Sequence, residues 1–398
     1  MKKFTNFNFN MYTEVVFGKN TETQTADLVK KYGGTKVLFV YGGGSIKRSG
    51  LYDRVVKSLN DGGIPFVELG GVQPNPLRSV VDKGYKLALD EKVDFFLGVG
   101  GGSSIDTAKG IALAMANEGD YWQFYNGTPC KKMAPVGVIH TIAAAGSETS
   151  RSSVLVDDAT RQKKGFMWDP CRPLFAIMNP ELTYSVSKYQ TGAGSADVFA
   201  HTAMRFFTLA SSALGDEYAE GTLRTVVKYA PIALEKPDDY EARAELMLAG
   251  SFSHNDVTGI GRDGDKGGEH GLESQLSGFY DTAHGAGLAA VMPAWLQYIT
   301  DHGSAEHVAR IARFGVKVFG ADPDFADAKT VANDGLARFR SWIKSIGMPL
   351  TLAEMGIPKT DLDAVIDRCL KVWNGGPIPG FMALDKDAVR AIFTSIVE

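Results

Sequence analysis

A chain of 398 residues with 44% apolar and 22% charged residues has the composition of an ordinary soluble globular protein, long enough for two domains. Its net charge of −4 provides no basic field for nucleic acid, and the pair Lys163–Lys164 is not a patch. No 18-residue apolar run offers a membrane span, MKKFTNFNFN lacks a signal peptide's apolar stretch, and three separated cysteines (Cys130, Cys171, Cys369) suit a reducing, cytoplasmic setting.

In chain order, the first part alternates between two patterns. VLFVYGGGS (37–45), PFVELGGV (65–72), FFLGVGGGS (95–103) and APVGVIHTIA (134–143) read as short strands, several ending in glycines. LYDRVVKSLNDGG (51–63) and LRSVVDKGYKLALDEK (77–92) read as helices between them. The repetition predicts a mostly parallel sheet with helices on its faces. SSVLVDD (152–158) and LFAIMNP (174–180) are further extended pieces, with RQKKG between them expected as an exposed turn. After Pro180 the pattern becomes helical: 216–234, 238–257, 284–300, 306–319, 327–346, 360–372 and 385–396. Asp238 with Glu241 resembles a capping box, and Gly261 to Gly268 reads as a loop. The expected division is an α/β nucleotide domain over 1–182 and an all-helical domain over 183–398.

Two glycine loops stand out. GVGGGSSIDTAKG (98–110) follows a strand and opens a helix, so its backbone can approach a pyrophosphate at a helix N-terminus. It lacks the full spacing of GxGxxG and is not a GxxxxGK[ST] loop, so alone it fits a tight turn equally well. YGGGSIKRSG (41–50) ends the first clear strand and carries no carboxylate for an adenosine 2′-hydroxyl. It offers Ser45, Lys47 and Arg48, groups suited to a 2′-phosphate, which favours NADP(H) over NAD.

A second constellation lies in the helical half. In GSADVFAHT, Asp197 and His201 are four residues apart and share one helix face. In EHGLESQLSGFYDTAHGAGL, His270 and His284 are fourteen apart. One carboxylate and three imidazoles suit a divalent transition metal, Fe²⁺ and Zn²⁺ alike. A continuous helix would hold His270 and His284 about 21 Å apart at ~1.5 Å per residue, too far for one ion. The helix must therefore break between Gly278 and Thr282 and restart near His284. His140, His254, His302 and His307 read as core or surface groups, and Phe252 and Phe279 as candidate pocket walls.

Together the motifs resemble the iron-containing alcohol dehydrogenase family over essentially the full length, nearest its NADPH-dependent butanol dehydrogenase and aldehyde reductase branch. FGKN (17–20), YGGGSIKRSGLYD (41–53), VQPNP (72–76), GVGGGSSIDTAKG (98–110), AGSE (145–148), GSADVFAHT (194–202) and HGLESQLSGFYDTAHGAGLA (270–289) carry the resemblance. It implies a Rossmann-like nucleotide domain followed by a helical domain, the dehydroquinate synthase-like fold. Asp197, His201, His270 and His284 then match the metal ligands, iron being the family's metal. Gly100, Gly101, Gly102 and Ser103 match the pyrophosphate loop, and Asp106 an acidic residue on the nicotinamide side. Thr141 matches a threonine near the cofactor and Lys163 a lysine that approaches the nicotinamide ribose, while Gly43, Gly44, Ser45, Lys47 and Asn75 fall at the adenosine end. Hydride exchange between NADP(H) and an aldehyde or primary alcohol, and a homodimeric state, are implied in the same way. A dehydroquinate synthase-type or glycerol dehydrogenase-type enzyme, or a non-catalytic binding module, is the alternative.

Three positions depart from the family pattern. Ser274 stands where a second histidine is usual, Ala145 where threonine is common, and Asn179 where aspartate is usual. The first bears on proton handling near the metal; the last reads as a change in a structural turn.

Overall fold

The structure, a computed structural model, describes residues 4–210, 212–262, 268–324 and 327–398. It divides into two compact units, Asn10–Val186 and Ser187–Glu398, the second joined by the segment ending at Phe9. Most of the loop expected over Gly261 to Gly268, residues 263–267, lies outside the described residues.

The first unit runs β1 (Glu14–Phe17), α1 (Thr25–Lys31), β2 (Val37–Tyr41), α2 (Ser45–Arg48), α3 (Leu51–Asp61), β3 (Phe66–Leu69), α4 (Arg78–Asp90), β4 (Phe95–Gly100), α5 (Gly102–Ala116), α6 (Trp122–Tyr125), β5 (Val136–His140), β6 (Ser152–Val156), β7 (Lys163–Met167) and β8 (Phe175–Met178). Six strands form one parallel sheet in the order β1-β8-β5-β4-β2-β3. Strands β2, β4, β5 and β8 are buried along their whole length, which explains their continuous apolar runs. From β2 the chain builds outward through β3, then returns to β2's other side with β4 and continues to β5. That reversal is a topological switch point, and the two glycine loops follow the strands that flank it.

Two elements differ from the sequence expectation. β1 is an additional edge strand, four residues long and half-exposed, too short to carry a readable alternation. RQKKG is only partly a turn: Arg161 has φ 57°, but Lys163–Met167 is strand β7, antiparallel to β6. The pairing buries Phe166, whose ring meets Tyr125 edge-on at 4.7 Å.

The second unit is helical: α7 (Lys188–Phe206), α8 (Ala213–Glu235), α9 (Tyr240–His254), α10 (Gly268–Tyr280), α11 (His284–His302), α12 (Ala305–Phe319), α13 (Ala328–Ser345), α14 (Leu362–Lys371) and α15 (Lys386–Thr394). It contains the isolated β-bridge Ile378–Leu384. The cap of α9 is Asp239, not Asp238: its carboxylate accepts the Ala242 amide at 2.9 Å, one residue later than the expected start. α7 is the central element. Phe199, midway along it, stacks with Phe339 at 4.8 Å and also meets Trp342 and Phe314. No helix is long and apolar enough to cross a membrane among the described residues.

Candidate functional site

The first glycine loop is fastened at its base: the Gly71 amide donates to Gly42 O at 2.9 Å and Val72 to Tyr41 O at 3.2 Å. Gly43, Gly44, Ser45 and Lys47 lie exposed beyond it. Lys47 Nζ sits over the rings of Tyr52 and Tyr41, 4.6 and 5.3 Å from their centroids. Both tyrosine hydroxyls donate to Glu68 at 2.7 Å. Burial and that hydrogen bond push the Tyr41 hydroxyl up to about 12, so it stays a donor at neutral pH. The Arg48 side chain lies against Gly44, where a built Cβ would come 2.8 Å from Nη1. Asn75 has φ 51° in the segment before Pro76, whose carbonyl accepts the Val156 amide of β6 at 2.8 Å.

The second loop follows β4. Gly100 has φ 144°, and a Cβ there would stand 2.8 Å from Ser104 Oγ, so glycine is required on both counts. Gly101 caps α5 and Gly102 and Ser103 open it, a fifteen-residue helix whose N-terminus has no side-chain cap and is suited to an anion. Thr141 is brought beside this loop by its amide, which donates to Gly100 O at 3.0 Å. Gly42 also faces α5, where its Cβ would lie 3.6 Å from Ser104 Oγ; both loops therefore border one region.

Asp106 is half-buried and engaged within this unit. Its Oδ1 accepts from Ser147 Oγ at 2.6 Å and its Oδ2 from the Val154 amide at 3.0 Å. Burial holds its carboxyl above the usual aspartate value, offset in part by Lys109, those hydrogen bonds and the charge of Lys163 at the start of β7. Sequence reasoning missed Lys109. It is fully buried, and its ammonium donates to the carbonyls of Ser147, Ser150 and Ser152 at 2.7, 3.0 and 2.8 Å. The β5–β6 connection is thereby tied to the helix that follows the second glycine loop. The signal available in sequence was a lysine on a helix whose other positions are almost all small or apolar.

In the helical unit, the ligand atoms of Asp197, His201, His270 and His284 all lie within 4.8 Å of one another. Asp197 Oδ1 is 3.5 Å from His201 Nε2 and 3.9 Å from His284 Nε2. Both exceed a good hydrogen bond; the first is close to the edge of a coordination tetrahedron, about 3.4 Å for bonds of about 2.1 Å, and the second somewhat longer. The donor set therefore fits a divalent ion. The His201 imidazole is held well below its usual range by burial first, then by the neighbouring His254, His270, Arg205 and His284, so it is neutral and ligand-competent.

Local structure explains the convergence. α10 ends at Tyr280, Asp281 takes φ 54°, and α11 begins at His284, the break expected between Gly278 and Thr282. Gly285 then lets α11 close on α7: a Cβ there would lie 1.8 Å from Ala193 O. The C-terminal end of α7 is held by arginines, with Arg310 Nη2 donating to Phe206 O at 2.8 Å, Arg262 to Arg205 O, and Arg205 Nη1 to His201 O at 2.7 Å. Asp216 accepts from Arg310 and Arg262.

Three further side chains join the group without having been expected there. His254 stacks on His201 with centroids 4.3 Å apart. Glu269 and Glu273 are fully buried beside His270 and His284. Ser274 is half-buried, with Gln275 Nε2 at 3.4 Å from its hydroxyl. Phe252 and Phe279 are both 45% exposed, the latter beneath the Arg368 guanidinium.

Comparison with known proteins agrees with this geometry. Residues 13–180 match the family model described as iron-containing alcohol dehydrogenase, and 191–397 match the C-terminal model of the Fe-containing alcohol dehydrogenase family. The chain is 38% identical over 390 residues to NADH-dependent butanol dehydrogenase A of Clostridium acetobutylicum, covering 97% of this chain and 98% of that one. It is 31% identical over 368 residues to NADPH-dependent aldehyde reductase YqhD of Escherichia coli, covering 91% and 92%. A crystal structure of NADH-dependent butanol dehydrogenase A from Thermotoga maritima superposes over 100% of both chains with a TM-score of 0.94 at 36% identity.

Proposed function

The chain belongs to the iron-containing alcohol dehydrogenase family, and on that premise we propose that it is a metal-dependent oxidoreductase exchanging a hydride between NADP(H) and a primary alcohol/aldehyde pair of butanol and butanal type. One observation carries the reading. A pair of glycine loops at a sheet's switch point coexists in one chain with a cluster of three imidazoles and a carboxylate. Neither feature alone specifies a dehydrogenase. Relatives named as alcohol and aldehyde oxidoreductases favour this over the dehydroquinate synthase-type or glycerol dehydrogenase-type alternative.

Asp197, His201, His270 and His284 would hold the ion, Fe²⁺ by family likeness with Zn²⁺ equally accommodated by the donor set. When bound, the metal supplies Lewis-acid polarisation of the substrate oxygen and the nicotinamide supplies the hydride. The protein's own groups orient and exclude. Gly100, Gly101, Gly102 and Ser103 would hold the pyrophosphate through backbone amides, with Thr141 near the cofactor and Asp106 and Lys163 toward its nicotinamide end. Gly43, Gly44, Ser45, Lys47 and Asn75 border the adenosine end. Arg48 is the group best placed for a 2′-phosphate, because it lies on the glycine loop whereas Lys47 lies over two tyrosine rings. Ser274 carries no imidazole, so proton delivery falls to solvent and cofactor hydroxyls. A cytoplasmic location and a homodimer complete the proposal.

The test is a turnover assay on metal-loaded protein with butanal and either NADPH or NADH. Turnover that disappears on chelation and returns with Fe²⁺ or Zn²⁺ is the expected result; full activity after verified metal removal overturns the metal-dependent mechanism. A higher kcat/KM for NADPH is expected, and a preference for NADH, which the butanol dehydrogenase relatives carry in their names, overturns the cofactor assignment alone.

A further inference from the structure

We infer that Glu269 and Glu273 are positioning residues that fix His270 and His284 with Nδ1 turned to a carboxylate and Nε2 turned to the ion. The inference rests on reading the imidazole cluster as a metal centre. Glu269 Oε1 lies 3.0 Å from His270 Nδ1, and Glu273 Oε2 contacts His284 Nδ1. The opposite nitrogen of His284 faces Asp197 Oδ1, as His201 Nε2 does, and His270 Nε2 is buried.

Both carboxylates are fully buried, and they stand four residues apart on one face of α10 with His270 between them in sequence. Burying a carboxylate is unfavourable unless it is paired and hydrogen-bonded. Among the described residues the ion-pair contact of Glu269 is His270 itself. The fold also makes room for one of these groups: a Cβ at Gly287 would lie 2.6 Å from Glu273 Oε1 and 2.7 Å from its Cγ. His201 differs from the other two histidines. Its Nδ1 meets no hydrogen-bond partner among the described residues, and its ring is steadied by stacking on His254. A carboxylate, a stacked imidazole and two carboxylate-backed imidazoles thus make up the donor set, and the backing carboxylates raise the basicity of the rings they hold.

The experiment uses the full chain stripped of metal, with Zn²⁺ and Co²⁺ as probes and a chromophoric chelator as competitor. Glu269→Gln and Glu273→Gln keep the shape and remove the charge. Each is expected to weaken Zn²⁺ binding about 10- to 100-fold and to alter the visible Co²⁺ spectrum, while unfolding of the metal-free protein is no less resistant to urea. Zn²⁺ affinities within twofold of the unmodified chain for both variants overturn the inference. A measurement on the unmodified chain serves even where a variant does not fold. Nitrogen NMR of the Zn²⁺-loaded protein should show His270 and His284 protonated at Nδ1 and bound through Nε2; an Nδ1-bound ring at either position overturns it. An unmodified chain that takes up neither ion at one per molecule overturns the metal-centre reading itself, which separates the two failures.

Discussion

Asn179 shows how a single atom exchange can be tied to its surroundings. Its Oδ1 caps the turn after β8 by accepting the Glu181 amide at 3.1 Å, a job that aspartate would do equally well. Its Nδ2 donates to Glu22 Oε2 at 3.1 Å, and Glu22 is 1% exposed and paired with Arg54 at 2.8 Å. An aspartate would set a second carboxylate against a buried one. Asn179→Asp should therefore cost about 2 kcal/mol in urea denaturation, with Glu22→Gln recovering most of that in the double variant. An unchanged midpoint would show that the amide is incidental. Sequence reading places this position in a turn but has no access to Glu22, 157 residues away. The same limit applies at the candidate metal centre. Asp197 and His201 are visible in sequence through their helical spacing, and His270 and His284 through the family motifs that carry them. Glu269, Glu273 and His254 are not, because an acidic residue or a lone histidine on a helix is more often a solvated or packed group. Only burial separates the two cases.

At the scale of elements, the break between α10 and α11 is the part that could be derived outright, since ligand distances forbid a continuous helix. What could not be derived is how closely α11 approaches α7. Gly285 looks in sequence like one of three small residues after His284, yet it is the point where α11 meets the Ala193 carbonyl. Gly285→Ala has no flexible side chain to displace, only backbone, so it should cost about 3 kcal/mol. Metal stoichiometry should fall as well, because His284 moves with the helix; retention of a full equivalent of metal with unchanged denaturation would disprove the close contact. The arginine-held end of α7 works in the same direction. Burial pushes the Asp216 carboxyl up, and the hydrogen bonds and charges of Arg310, with Arg262 and Arg313, more than offset it, leaving it below its usual value. Its contribution is therefore present at neutral pH and fades only in strong acid, as pH drops through that lowered value.

For the whole molecule, the class of each half is legible because periods differ: short buried runs ending in glycine for the sheet, long amphipathic segments for the helices. Strand order is not legible, since nothing local says that β4 returns to the far side of β2. β1 and β7 are missed because strands of four or five residues, half-exposed, carry little pattern. The edge that β1 forms bears on assembly. Met11, Tyr12 and Val15 are 41, 39 and 38% exposed, and β1 pairs with β8 on one side only among the described residues. With a second copy as the proposed occupant of that edge, light scattering should give twice the mass of one chain, and Val15→Lys should shift it toward a single chain. A single-chain mass for the unmodified protein would remove the homodimer from the proposal.

Lys109 has a consequence outside binding and turnover. Its amine is fully buried and holds three carbonyl oxygens, and burial lowers its proton affinity, so the neutral, nucleophilic form is easier to reach than on a surface lysine. An acylating reagent can meet that amine only in molecules whose β5–β6 connection has swung open. The slow appearance of label at this one position, read by mass spectrometry against the prompt labelling of exposed lysines, is thus a built-in clock for local opening beside the second glycine loop.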